Sequence, residues 1–220
     1  MQDIKSVLLM ITVMSFLFAV GCFGPNPFFD EMTDSRDNQI YQTVTLGNQT
    51  WFAQDLNYET ENSWCYNDDP ENCDTYGRLY DWETALTACP AGWHLGSDEE
   101  WSTLVKYLDP GSEPNDGFKI SEIAGGMLKT SGTLEEETGL WSSPNTGATN
   151  LSGFSALPSG NRNPAGTFRM LGYHIMFWTA TEYDNDHAWT MMLDNSQSGI
   201  FRDYMGVTKD YGISVRCVKD

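Results

Sequence analysis

The chain has 220 residues, and its 12 lysine and arginine residues stand against 31 aspartate and glutamate residues, which gives a formal net charge of −19 at pH 7. A chain this acidic repels nucleic acid and anionic lipid surfaces, so its charge argues against both as electrostatic partners. The chain is also rich in aromatic residues, with 8 Trp, 10 Tyr and 11 Phe. We expect some of these rings in the core and others on a binding surface.

The first 22 residues are predicted to form a lipoprotein signal peptide. Residues 7–20 are apolar except for Thr12 and Ser15. A stretch of this length is too short to span a bilayer but suits the apolar region of a signal peptide. The Ala-Val-Gly-Cys run at 19–22 resembles a bacterial lipobox, in which Cys22 is lipidated and becomes the mature N-terminus. The alternative is an ordinary cleaved signal with an incidental cysteine.

The rest of the chain divides into a tether and one domain. Residues 23–36 contain Pro25 and Pro27 and are predicted to be a tether, and residues 37–220 are long enough for a single domain with its own core. Five cysteines are an odd number for an exported protein, but lipidation of Cys22 leaves four, enough for two disulfides. We therefore expect an exported protein at the outer membrane or cell surface, in contact with the membrane through its lipid anchor only.

The centre of the domain predicts a helix, a short strand and a second helix. A helical stripe is expected at 3- and 4-residue spacing through Leu79, Trp82, Leu86 and Cys89. Residues 93–95 then fit only a short strand, and Ser97 followed by Glu100 is a capping box that begins the next helix. The buried face of that second helix is predicted to comprise Trp101, Leu104, Val105 and Leu108.

The remaining elements complete an α+β pattern. A hairpin is predicted at residues 39–53 with a turn at Gly47 and Asn48, followed by a polar loop between Cys65 and Cys73. Residues 109–166 are rich in Gly, Pro, Ser and Asn and predict a long irregular stretch. Strands, expected to be antiparallel, are then predicted at residues 175–181, 188–193, 199–202 and 212–218.

Strand periodicity suggests how the cysteines pair. In the last strand, Cys217 lies on the same face as Ile213 and Val215, whereas Ser214 and Arg216 lie on the other face. Cys89 and Cys217 are therefore both expected to face the core and to bond, which leaves Cys65 to bond Cys73. Four cysteines allow three connectivities, so this pairing is an inference.

Seven motifs in order resemble the Fibrobacter succinogenes major paralogous domain: GNQTW at 47–51, WCYNDDPENC at 64–73, YGRLYDW at 76–82, CPAGWHL at 89–95, GFSALP at 153–158, FWTATE at 177–182 and SVRCV at 214–218. That family consists largely of bacterial surface lipoproteins. More remotely, the chain is similar to the C-type lectin-like fold, in which a cysteine of the first helix bonds one in the last strand. The formylglycine-generating enzymes share that fold, which makes such an enzyme the alternative function.

The sequence contains few motifs that indicate catalysis or the binding of a metal or cofactor. The three histidines lack zinc-ligand spacing, and no nucleophile elbow, P-loop or dinucleotide glycine pattern occurs. The acidic residues at 68–74 lack the spacing of a calcium loop, and Glu113-Pro-Asn at 113–115 matches a lectin tripeptide only by chance. We therefore expect no cofactor, no metal and no catalysis.

A binding function remains, with an extracellular carbohydrate or protein as the expected partner. In lectin-like folds the ligand surface comes from the late loops and strands, and aromatic rings beside polar tips suit such ligands. The candidate ligand-binding residues are Arg162, Trp178, Tyr183, Asp184, Asp186, Trp189, Arg202 and Tyr204. Trp178 and Trp189 are equally well explained as strand core, and the loop at 160–162 is the alternative site. A passive coat or adhesion module is the third possibility.

Overall fold

A computed structural model describes residues 28–113, 118–203 and 206–220 of the chain. The predicted signal peptide with Cys22, and the candidate Tyr204, lie outside these residues. The fold is α+β, as predicted. Within the described part, no helix has the length and apolar character needed to cross a membrane. The helices are α1 (Pro70–Tyr76), α2 (Trp82–Ala88), α3 (Asp98–Leu108) and α4 (Ala124–Leu128), with a short 3-10 helix at Tyr66–Asp68.

The first sheet has five strands in the order β1-β2-β3-β14-β6. The predicted hairpin is confirmed, because Thr45 pairs with Thr50 and Leu46 with Gln49 around the turn. The strands are β1 (Phe28–Thr33), β2 (Ile40–Leu46), β3 (Gln49–Phe52), β6 (Trp93–Leu95) and β14 (Cys217–Lys219).

Strand β1 corrects the predicted tether, which was assigned to residues 23–36. All six residues of β1 pair antiparallel with β2, from Phe28 opposite Thr45 to Thr33 opposite Ile40. Met32 packs against the core, and this contact explains why the segment is ordered as a strand. The tether prediction depends on Pro25 and Pro27, and both prolines precede this strand in the chain.

The second sheet has seven strands in the order β4-β5-β13-β10-β11-β12-β7. Strands β10 and β11 form its long central hairpin, and β13 lies parallel to β10, which departs from the predicted all-antiparallel arrangement. The strands are β4 (Ser63–Trp64), β5 (Leu79–Tyr80), β7 (Lys119–Ser121), β10 (His174–Glu182), β11 (Ala188–Asp194), β12 (Ile200–Asp203) and β13 (Ile213–Ser214); β8 (Asn161–Arg162) and β9 (Phe168–Arg169) pair separately.

Two helical predictions need correction. Leu79 lies in β5, and α2 begins only at Trp82 because Asp81 caps it by accepting from the Thr84 backbone. The segment between Cys65 and Cys73, predicted as a polar loop, instead holds the 3-10 helix and the start of α1. Asp69 caps α1, and Pro70 occupies the first helical position. Both features are typical of the start of a helix, and both are present in the sequence of the predicted loop.

The capping box that begins α3 is present as predicted. The Ser97 hydroxyl accepts from the Glu100 backbone N–H at 3.2 Å, and the Glu100 carboxylate accepts from the Ser97 backbone N–H at 2.8 Å. Trp101, Leu104 and Val105 are fully buried on its inner face. This helix therefore packs one side of the domain as its periodicity indicated.

The predicted last strand is divided between the two sheets. Residues 213–214 belong to β13 in the second sheet, and residues 217–219 belong to β14 in the first sheet. Because the segment passes between two sheets, both of its faces are covered. Ser214 and Arg216, predicted to lie on the face opposite to Cys217, are consequently 0% and 1% exposed.

Both predicted disulfides are present. Cys65 bonds Cys73 beside α1, and Cys89, just after α2, bonds Cys217 in β14. The second bridge joins residues 128 positions apart and ties the first sheet to the α2 region. Cysteine periodicity was thus sufficient to choose among the three connectivities.

The long segment at residues 109–166 has more order than its composition indicated. It contains β7 and α4, and its chain is fixed by the buried side chains of Leu128, Phe154 and Lys129. The Lys129 ammonium donates to the carbonyls of Thr146, Asp194 and Gln197 at 3.1, 2.8 and 2.8 Å. One buried cation therefore holds three loop carbonyls together.

Candidate functional site

A groove of about 270 Å³ lies over one face of the second sheet. Its floor is formed by the central strands. One wall is formed by the β8–β9 hairpin and the turn after it, and the other wall by Asp203 and by residues 206–211. The residues that line it are Asn161, Asn163, Arg169, Met170, His174, Met176, Met192, Asp203, Gly206, Val207 and Tyr211.

Strand alternation places three side chains on the groove floor. His174 and Met176 are two residues apart in β10, and Met192 lies directly opposite Met176 in β11. All three therefore point to the same face of the sheet. Met191, the neighbour of Met192, points to the other face and is fully buried in the core with α3. The floor thus combines two thioethers with an imidazole.

His174 is held in one tautomer. Its Nε2 lies 2.8 Å from the side-chain nitrogen of Asn161, which can only donate, so Nε2 accepts and Nδ1 carries the hydrogen. Burial lowers the pKa of His174, with a smaller opposing effect from Asp194. The neutral ring therefore offers its Nδ1–H as a donor at the groove floor.

The hairpin wall is rigid and presents donors. The Arg162 backbone exchanges two hydrogen bonds with Gly212, at 2.9 and 2.8 Å, which fixes the hairpin to the segment before β13. The side-chain oxygen of Asn163 accepts from the Thr167 backbone at 2.9 Å, and Asn163 is one of the residues that line the groove. Arg169 lies at the rim with an exposed guanidinium.

The opposite wall is fixed by backbone contacts. The Tyr211 N–H donates to the Thr208 carbonyl at 2.9 Å, and the Lys209 N–H donates to the Asp186 carbonyl at 2.9 Å. Val207 is buried, whereas Gly206 is exposed at the rim. The groove therefore lies between two walls that are each hydrogen-bonded to the body of the domain.

Three of the predicted binding residues form a stack on the opposite face of the sheet. The Arg202 guanidinium lies 3.3 Å from the Trp189 ring centroid, and Tyr183 meets the same ring edge-on at 5.0 Å. Arg202 also binds Asp98 of α3 through two bonds of 2.6 and 2.7 Å. Both partners of this ion pair are largely covered, so Arg202 joins the sheet to α3 and is occupied within the fold.

The predicted acidic tip also bonds to itself. One Asp184 oxygen accepts from the Asp186 and His187 backbones at 2.9 Å each and lies 2.8 Å from the His187 ring. The His187 ring and these backbone donors lower the pKa of Asp184. Asp186 is exposed. Asp184 therefore shapes the β10–β11 turn.

Two other candidates are placed in structural roles. Trp178 is 0% exposed and donates its ring N–H to the Tyr80 carbonyl at 2.8 Å, so its assignment to a ligand surface is wrong. The Arg162 guanidinium stacks on Trp64, 4.2 Å from the ring centroid. Alternation in a strand does not reveal which face of the sheet is covered, and this explains the error at Trp178.

A second, smaller cleft of about 130 Å³ lies beside the buried Asp55. Asp55 pairs with Arg216 through one carboxylate oxygen, and the other oxygen has no hydrogen-bond partner among the described residues. Burial raises the pKa of Asp55, and Arg216 opposes that rise. No cluster of three or more His, Cys, Asp or Glu in the described ranges has the arrangement of a metal site.

A family model for the Fibrobacter succinogenes major domain matches residues 36–219. The chain belongs to this family. The match covers the domain predicted at residues 37–220 almost entirely and confirms the resemblance drawn from the seven motifs. No curated protein and no solved structure matches the chain. The remote similarity to the C-type lectin-like fold therefore stays a prediction.

Proposed function

We propose that this protein is a non-catalytic, lipid-anchored domain of the bacterial surface that binds an extracellular carbohydrate or protein in the groove. The observation that carries the proposal is the groove itself, in which the two methionines of the floor lie among polar side chains of the floor and walls. Ligand sites commonly combine apolar surface for contact area with a few polar groups for orientation. Met176 and Met192 supply the former, and Asn163, Arg169 and His174 the latter.

The rigidity of the groove favours binding. Paired backbone hydrogen bonds join Arg162 to Gly212 on one side, and turn hydrogen bonds hold residues 208–211 on the other. A ligand that enters such a groove does not have to order its walls, which lowers the entropic cost of association. The two disulfides add to this fixed scaffold.

The cysteines support a function without catalysis. The four described cysteines are engaged in two disulfides, whereas cysteine chemistry requires a free thiolate with an activating neighbour. Thiol titration of the mature protein separates a binder from an enzyme of the formylglycine-generating type. We expect no reactive thiol under native conditions, and a reactive thiol in the folded protein would favour the enzyme.

Export and anchoring are supported by two independent features. Disulfides persist in oxidising compartments outside the cytoplasm, and the domain contains two of them. The N-terminal sequence has the apolar segment and the cysteine of a lipoprotein signal. We propose that the domain is held at the outer membrane or cell surface by a lipid on Cys22.

A pair of glycine substitutions tests the groove. Gly206 stands at the rim, and a Cβ atom added there would meet, among the described residues, only the Asp203 carboxylate, at 3.4 Å. Gly111 is a similar position away from the groove, where an added Cβ atom would meet only Asp109, at 3.6 Å, within the part of the chain that the structure describes. Gly206→Trp therefore places a large ring at the rim, and Gly111→Trp is its matched control.

Both variants and the unmodified domain are applied to an array of bacterial and plant glycans and surface proteins. We expect groove-dependent binding that Gly206→Trp abolishes and Gly111→Trp retains, with equal melting temperatures. Equal binding by both variants would contradict the groove as the site. Absence of binding to every component would favour a passive coat module.

A further inference from the structure

Nearly all cationic side chains in the described part of this acidic protein are engaged in contacts within the fold. In the described ranges, most lysine and arginine side chains contact a carboxylate, an aromatic ring or both. Arg169 and Lys219 are the described exceptions, since neither has an ion pair or a ring contact. Lys219 is at the end of β14, but Arg169 lines the groove.

Several side chains that line the groove carry hydrogen-bond donors. The Asn163 oxygen accepts from the Thr167 backbone, its NH₂ group is a donor, and the tautomer of His174 leaves Nδ1–H as a donor. Arg169 adds a guanidinium, which donates hydrogen bonds and accepts none. Asp203 is the carboxylate among the lining residues, and it already has an interaction of its own.

We propose that the groove binds a sugar that carries a carboxylate, with the Arg169 guanidinium as the group that recognises it. This inference rests on the proposed function and adds the class of ligand. A guanidinium can hold a carboxylate through two parallel hydrogen bonds, which gives both strength and orientation. Met176 and Met192 on the groove floor would contact the apolar face of the sugar ring. A uronic acid residue carries both such a ring and a carboxylate.

The size of the groove and the net charge agree with a single acidic sugar at the site. A volume of about 270 Å³ is below the usual range of about 300–1,000 Å³ for drug-sized ligands, and it suits one sugar ring of an oligosaccharide. The net charge of −19 repels an anion at long range, but at about 0.15 M salt the Debye length is about 8 Å. Contact with Arg169 then outweighs the screened repulsion.

The test compares digalacturonate with its dimethyl ester, which has the same rings without the charge. Calorimetric titrations at about 0.15 M salt use the unmodified domain, Arg169→Gln, Arg169→Lys and the control Lys219→Gln. We expect the acid to bind the unmodified domain more tightly than the ester. Arg169→Gln should weaken binding of the acid by about ten- to a hundredfold, and Lys219→Gln should not change it.

Arg169→Lys should give an intermediate affinity, because it keeps the charge but loses the paired geometry. Equal affinity for acid and ester, no binding of either, or equal effects of Arg169→Gln and Lys219→Gln would overturn the proposal. The proposed function fails separately, if Gly206→Trp leaves every glycan and protein interaction of the domain intact. A groove that binds neutral sugars and is blocked by Gly206→Trp would keep that function and reject the acidic ligand.

Discussion

Asp55 and Arg216 form an ion pair in the interior of the domain, although 161 residues separate them. Both side chains are almost entirely covered. The guanidinium also donates to the carbonyls of Phe52 and Phe154 and lies 4.3 Å from the Phe154 ring centroid. This one side chain therefore joins β3, the segment before β14 and the irregular segment that contains Phe154.

Arg216→Met should destabilise the domain by about 3–5 kcal/mol, because it leaves a buried carboxylate without its counter-charge. Urea unfolding measures the loss. The double variant Asp55→Asn/Arg216→Met removes the unpaired charge and should recover part of the stability, but not all, since two or more carbonyls still lack their donor. A single variant as stable as the unmodified domain would contradict this account.

The two disulfides should differ in their contributions. Cys89 and Cys217 are 128 positions apart, whereas Cys65 and Cys73 are 8 apart. In the chain-entropy model, the long loop contributes about 5 kcal/mol and the short loop about 2.6 kcal/mol. Unfolding of Cys89→Ala/Cys217→Ala and of Cys65→Ala/Cys73→Ala in urea compares them directly. A larger loss from the short pair would show that loop length does not decide the contribution.

The buried Lys129 predicts that the free energy of unfolding depends on pH. Burial lowers the pKa of Lys129 to about 8, against an ordinary value of 10.5. Between these values the unfolded chain holds a proton that the folded chain has lost, so the free energy of unfolding rises with pH. From pH 8 to 9.5 we expect the unmodified domain to gain about 1.5 kcal/mol relative to Lys129→Met. A constant difference between the two pH profiles would contradict the prediction.

Lys129→Met should also destabilise the domain at pH 7. The ammonium serves three buried carbonyls, and each carbonyl without a donor costs about 1–3 kcal/mol. Lys106→Met is the control, because the Lys106 ammonium is at the surface. Thermal unfolding of the two variants measures the contrast.

The lipid anchor is tested by Cys22→Ala. Lipidation requires the cysteine thiol, so the variant should lose incorporation of labelled palmitate and leave the membrane fraction. Cys22→Ser keeps the size of the side chain but not the thiol, and it should behave in the same way. A labelled, membrane-bound Cys22→Ala protein would disprove lipidation at this position.

Local signals were predictable from the sequence. The Ser97 and Glu100 capping box and the turn at Gly47 and Asn48 each depend on residues close in the chain. Cysteine pairing was also predictable, because Cys89 and Cys217 both carry the apolar periodicity of their own elements. Family membership followed from motifs in a fixed order.

Side-chain placement failed where tertiary structure overrides periodicity. Arg216 follows the alternation of an outward-facing residue, but its segment passes between two sheets and both faces are covered. Trp178 lies in a central strand of the second sheet, and tertiary contacts there cover its ring completely. The groove lies between the hairpin at residues 161–169 and the segment at residues 206–211, and no local pattern shows that these two segments meet.

The most direct test of the groove as the ligand site is methionine methyl NMR during titration with digalacturonate. Met192 lies on the groove floor, and its neighbour Met191 is buried on the opposite face of the same strand. The account predicts that the methyl signals of Met176 and Met192 shift with saturation while that of Met191 stays in place. A shift at Met191 with unchanged Met176 and Met192 signals would contradict it.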